Sequence, residues 1–123
     1  MSFNPYKVLN SQAVSGVTNY YTSPTSPSRD SNSHVSYVVE TDAGTLDGVV
    51  TIEVSNSRQE EINAGIDRWT TYTPIAPITV TNGLAGGEST FGIELKNLPF
   101  ARSRLKYANA SGTGTITVLA TVN

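Results

Sequence analysis

Residues 90–123, TFGIELKNLPFARSRLKYANASGTGTITVLATVN, decide the fold class. Successive side chains in a strand point to opposite faces, so alternation at period two marks a strand with one buried face. Three such runs follow one another. In 90–98, Phe91, Ile93 and Leu95 share a face. In 102–110, Ser103, Leu105 and Tyr107 share one face, and Arg102, Arg104 and Lys106 the other. In 115–122, Ile116, Val118, Ala120 and Val122 alternate with Thr115, Thr117, Leu119 and Thr121. Pro99-Phe100 makes a corner after the first run, and SGTG at 111–114 turns the chain before the last.

The pattern extends upstream. Residues 34–41 (HVSYVVET) put Val35, Tyr37 and Val39 on one face, and 45–55 (TLDGVVTIEVS) align Leu46, Val50, Ile52 and Val54. The short Asp42-Ala43-Gly44 link predicts a hairpin between them. AVSGVTNYY (13–21), IDRWTTYT (66–73) and ITVTN (78–82) also read as strands, with Pro74 and Pro77 bracketing a bend. TSPTSPSRDSNS (22–33) is a loop by its turn chemistry, and NSRQEEINAG (56–65) has room for a single helical turn. Residues 1–12 hold apolar side chains without a clean period. They read as an N-terminal arm or an irregular first strand, with Phe3 and Tyr6 as apolar anchors, ahead of one domain at 13–123. About eight short strands at roughly 10-residue spacing predict an all-β protein, an antiparallel β-sandwich of jelly-roll-like form.

Composition narrows the function classes. The 123 residues carry a formal net charge of −2, and only 15% of them are charged. Ser, Thr and Asn supply the polarity, which suits extended neutral interfaces better than electrostatic capture of nucleic acid. There is no cysteine, which favours a reducing site of synthesis. Met1-Ser2 reads as a gene start. No apolar signal segment follows it, and no run of about 18 apolar residues predicts a membrane span.

The residues that carry chemistry do not assemble. His34 is the single histidine; Ser31 and Asp30 beside it lack a nucleophile elbow, so a solvated histidine is expected rather than a triad. Without cysteine, one histidine makes no usual zinc site, and Asp42, Asp47 and Asp67 lack calcium-loop spacing. Glu60-Glu61 are neighbours on a loop, not a pair across a cleft. Gly83–Gly87 and Gly112–Gly114 lack a phosphate-loop lysine and read as hairpin turns. The expectation is a non-enzymatic chain with no cofactor. Two surface features stand out. Arg102, Arg104 and Lys106, with Arg68 near them, form a basic row that either contacts an acidic partner or protects an exposed strand. Tyr20, Tyr21, Trp69 and Tyr72 make either a sugar-stacking platform or the rim of a core filled by Trp69 and Phe91.

From residue 17 onward the chain resembles small β-sandwich structural proteins of tailed bacteriophages. The resemblance rests on TNYYTSP (18–24), VTIEVSNS (50–57), RWTTY (68–72) and LKNLPFARSRLKYANASGTGTITVLATV (95–122). It implies a non-enzymatic virion protein assembled in the host cytoplasm. The role implied first is capsid decoration, by an oligomer bound to the capsid lattice; a neck, tail or fibre-associated adaptor is the alternative. A carbohydrate- or receptor-binding module is the other reading of the same residues. Partner contacts are expected at Phe3, Tyr6, Tyr20, Tyr21, Arg102, Arg104 and Lys106, with no nucleic acid and no membrane involved.

Overall fold

The computed structural model describes residues 5–27, 34–42, 44–81 and 89–122. Phe3, Asp30, Ser31 and the Gly83–Gly87 turn lie outside them. The alternating runs form strands, and their apolar faces close on one another. Val35, Tyr37 and Val39, then Val50, Ile52 and Val54, then Leu105 and Tyr107, then Ile116, Val118 and Ala120 are all buried. In chain order the elements are β1 (Tyr6–Val14), β2 (Thr18–Tyr21), β3 (Val35–Asp42), β4 (Asp47–Ser55), α1 (Gln59–Asn63), β5 (Thr70–Thr71), β6 (Ile78–Thr81), β7 (Ser89–Leu95), β8 (Arg102–Ser111) and β9 (Gly114–Val122).

Two antiparallel sheets pack face to face. The four-stranded sheet runs β1-β9-β3-β7, and the five-stranded sheet runs β2-β8-β4-β5, with β6 also on β4. The pairs β1–β9, β2–β8, β3–β7 and β4–β5/β6 nest like one long hairpin rolled over itself, which is the strand order of a jelly roll. β5 and β6 share one strand position. Between Glu53↔Thr71 and Val50↔Ile78, β4 advances three residues while its partner advances seven, so four residues loop out around Pro74 and Pro77.

This topology corrects two local expectations and decides a third. β3 and β4 are not a hairpin: β3 pairs with β7 and β9, and β4 with β5, β6 and β8. The SGTG turn likewise carries the chain from one sheet to the other, because β8 and β9 lie in different sheets. Both links are crossovers laid against each other. Thr45 N–H donates to the Thr113 carbonyl at 2.8 Å, and Thr113 N–H donates to Thr45 Oγ1 at 3.1 Å. A Cβ on Gly44 would overlap the Thr113 backbone, and one on Gly112, whose φ is +84°, would overlap Thr45, so the clasp closes only with glycine at both places. Of the two readings of residues 1–12, the irregular first strand describes the chain from Tyr6 on, which forms edge strand β1. Register shifts between Lys7 and Leu9 and between Leu9 and Gln12 break its alternation, and Ser11, at φ +47°, donates its N–H to Thr117 Oγ1.

The largest buried side chains are Tyr37 and Tyr107, one from each sheet. Trp69 and Phe91, expected as core fillers, are only half-buried. The tyrosines can sit inside because the core supplies partners for their hydroxyls. Tyr37 shares a 2.7 Å hydrogen bond with Ser103 of the opposite sheet. Tyr107 donates to Asn109 Oδ1 at 2.8 Å. The Asn109 amide then donates to the Gly16 carbonyl at 2.7 Å and the Gly112 carbonyl at 3.1 Å. One buried amide thus ties the β1–β2 link to the β8–β9 crossover.

Two outcomes follow. Asn109→Ala leaves two carbonyls and a hydroxyl without their partner, and should cost about 2–4 kcal/mol in urea denaturation. Asn19→Ala, on the exposed face of β2, should change stability by less than about 0.5 kcal/mol. At high pH, burial pushes the Tyr107 phenol up to about 12 and raises Tyr37, offset in part by its Ser103 hydrogen bond. Folded values above the unfolded value mean that this stability is intact below about pH 10 and is lost as pH rises toward the folded values. Stability should therefore fall less steeply above pH 10 in Tyr107→Phe than in the parent, measured by denaturant midpoints between pH 9 and 12.

Candidate functional site

The outer face of the five-stranded sheet gathers most of the residues singled out in the sequence. Alternation along β8 sends Ser103, Leu105 and Tyr107 into the core and leaves Arg102, Arg104 and Lys106 on the outside. β2 pairs with β8 so that Tyr21 lies opposite Lys106, on the same outer face. β4 pairs on the other side and sets Glu53 opposite Arg104. Trp69, just before β5, folds over the same surface. The Arg104 guanidinium lies 4.2 Å from the centroid of the Tyr21 ring and 4.3 Å from that of Trp69, and Arg102 lies 5.0 Å from Trp69. Stacked guanidinium and aromatic planes of this kind attract one another electrostatically and hold each other in place.

Each arginine also has its own carboxylate. Arg104 binds Glu53 through Nε and Nη2, both at 2.8 Å to Oε1. Arg102 binds Asp67 Oδ1 at 2.5 Å and Oδ2 at 3.3 Å, and donates to Ser55 Oγ at 3.3 Å. Arg68 binds Glu61 Oε2 at 2.6 Å. The Arg102 hydrogen bond holds the Asp67 carboxyl below its usual range, with the Trp69 indole and the Ser55 hydroxyl assisting. Glu61 is also held low, first by the Arg58 backbone N–H at the start of α1 and then by Arg68. The basic row is therefore balanced almost charge for charge. Lys106 alone in that row lacks a carboxylate partner among the described residues.

The other expected contacts lie elsewhere. Tyr20 points away from Tyr21, and its hydroxyl accepts the Ser15 N–H at 3.2 Å. Tyr72 meets Phe100 edge to face at 5.9 Å and packs against the core. The four aromatics thus form no continuous platform: Tyr21 and Trp69 flank Arg104, and the other two are turned away. Tyr6 is exposed on edge strand β1, outside this face. Beside the stack, a cleft of about 600 Å³ opens between Ser26-Pro27, Gln59, Ile62 and the Leu98–Arg102 corner, with Arg102 in its wall. His34 Nε2 lies 3.0 Å from Glu94, on the opposite sheet. Among the described residues, no three His, Asp or Glu side chains gather as a metal site, and no helix is long and apolar enough to cross a membrane.

Sequence reading named the arginines and Tyr21 but missed Glu53, Asp67 and Ser55. Their role depends on strand register and on the path of the 56–69 segment, neither of which composition encodes. No family model, curated protein or solved structure matches the chain.

Because the folded-state pKa of Asp67 is depressed, its contribution is present above the unfolded value, near pH 4, and is lost as pH falls through the lower folded value. Asp67→Asn should cost on the order of 0.5–1 kcal/mol at pH 7, a modest figure because water screens the pair. The gap between parent and variant should close below about pH 3, as read by thermal melts. A gap that stays constant down to pH 2 would mean that the pair contributes nothing through its charge.

Proposed function

We propose that the chain is a non-enzymatic structural protein of a bacteriophage virion, most simply a capsid decoration protein. It adheres to the capsid lattice through the outer face of its five-stranded sheet. The observation that carries this reading is the stack of Tyr21, Arg104, Trp69 and Arg102 on an otherwise neutral surface. Trp, Tyr and Arg are the residues that dominate binding energy at protein interfaces, where they act as rigid anchors. Here they are already ordered, and both arginines already have carboxylate partners, so docking sacrifices little side-chain freedom and leaves neither arginine unpaired. The strand-and-turn ending that resembles phage sandwich proteins supports the virion setting, and the jelly-roll strand order agrees with it. Many weak contacts of this kind, repeated over a lattice, give tight overall attachment.

The test uses particles of the encoding phage grown without this gene, mixed with purified protein and pelleted. The parent should bind, with a copy number on the order of hundreds per particle, whereas a neck or tail adaptor would saturate at about six or twelve. Trp69→Ala and Arg104→Ala should each weaken binding by about 30-fold, the size of an interface hot spot. Binding to purified glycans instead, abolished by Trp69→Ala in a folded variant, would move the reading to a carbohydrate-binding module.

A further inference from the structure

The opposite face of the sandwich carries a second pattern. On the outer side of the four-stranded sheet, strand register sets Lys7, Leu119, Val38 and Gly92 in one row across β1, β9, β3 and β7. The next row in one direction is Thr121, Ser36 and Glu94, and in the other it is Thr117, Glu40 and Thr90. Val38 is 39% exposed, a large value for valine in the middle of a sheet. Gly92 leaves its position empty, with no atom closer than the Tyr37 carbonyl at 3.8 Å from where a Cβ would stand. The result is a notch of about 400 Å³ lined by His34, Ser36, Val38, Gly92 and Glu94. Lys7, at the far end of the same row, is exposed and has no carboxylate partner among the described residues.

We propose that a second copy of this chain docks on this face, forming a two-fold dimer. A two-fold axis lying between the two faces, parallel to the strands and midway between β9 and β3, puts β1 of one copy over β7 of the other. It also puts β9 over β3. Leu119 then meets Val38 of the second copy in both directions, as an isologous contact requires. Lys7 descends into the Gly92 notch beside Glu94 and within reach of Glu40. Glu94 Oε1 lies 3.0 Å from His34 and 3.7 Å from Lys96, and its carboxylate, half-exposed, can accept the incoming ammonium as well. Thr121 and Ser36 hydroxyls face one another across the axis, and Thr117 lies over Glu40. Apolar meets apolar, and the cation meets an acidic notch that lacks a side chain. No other occupant need be invoked to explain why an exposed lysine and an empty glycine position share a row.

The size of the face sets the strength. Strands about 4.8 Å apart and rising about 3.4 Å per residue give four strands over seven residues a face on the order of 450 Å² per copy. That is about half the ~800 Å² per partner of a standard interface, which places the dimer among weak, transient associations. It uses a different sheet from the stacked arginines, so it stands whether or not the virion reading holds.

The chain has no cysteine, which makes cross-linking clean. Lys7→Cys and Gly92→Cys proteins, mixed under mild oxidation, should form a disulfide-linked dimer at least tenfold faster than either protein alone. Each Cys faces the other variant's position across the axis, not its own copy. In sedimentation velocity, the weight-average coefficient of the parent should rise between about 10 µM and 1 mM. That rise should vanish in Val38→Arg and Lys7→Glu, both surface changes that leave the core intact. A parent that stays monomeric at 1 mM, or cross-linking no faster in the mixture than in each variant alone, overturns the proposal.

Discussion

Asn109 sits where water does not reach, and the three crossovers at its end of the sandwich depend on what its side chain can bond. A buried amide has two donors and an acceptor to satisfy, and a free one would cost more than the fold gains from it. Here the donors take the Gly16 and Gly112 carbonyls and the acceptor takes the Tyr107 hydroxyl. Gly112 in turn lies against Thr45, so the β3–β4 link is held at one remove. A jelly roll passes from sheet to sheet at almost every connection, so it has few local hairpins to hold its ends. In this chain a few polar groups in the interior do that work, and a flat apolar core would leave the crossovers free to slide.

The same logic explains the outer face of the five-stranded sheet. A row of three cations on one strand repels itself and invites solvent. Glu53 and Asp67 remove that repulsion, and Tyr21 and Trp69 remove the freedom of the long side chains. What remains is a rigid, nearly neutral surface with its aromatic rings engaged by guanidinium planes. A surface of this kind is poorly suited to capturing phosphate, because its charges are already answered. It is also poorly suited to sugar stacking, because Arg104 occupies the space between the two rings.

Much of this architecture was legible in the sequence, and what was not has a physical cause. Period-two alternation identified the inward residues of β3, β4, β8 and β9, including Tyr37 and Tyr107 as members of inward faces. It misplaced their partners, because alternation says which face a residue takes and nothing about which strand lies beside it. Asp42-Ala43-Gly44 and SGTG have hairpin composition, yet a sandwich uses the same residues to bend a strand out of one sheet and into the other. β1 was legible only as an arm or an irregular strand, because its two bulges break the period by which strands are recognised. Trp69 was misjudged on size alone: a large ring fills a core only if its strand faces inward, and the segment before β5 lies outside. At the candidate site, Arg102, Arg104 and Tyr21 were legible from alternation. Glu53 and Asp67 were not, since pairing them requires the β4–β8 register and the path of the chain around α1.

The two outer faces divide the sandwich's remaining surface between them. One presents stacked aromatics and paired charges, rigid without any partner. The other presents hydroxyls, a small apolar centre, a lysine without a carboxylate partner among the described residues and an empty glycine position. The edges between these faces offer little to strand addition. β1 is bulged, β2 has four residues, and the β5/β6 position is interrupted by Pro74 and Pro77. β7 is the exception, a seven-residue edge paired with β3 along its whole length. With three of four edges blunted, the sheets have little means of growing sideways. The surfaces left open are the faces, so any association of this chain favours stacking over extension of its sheets.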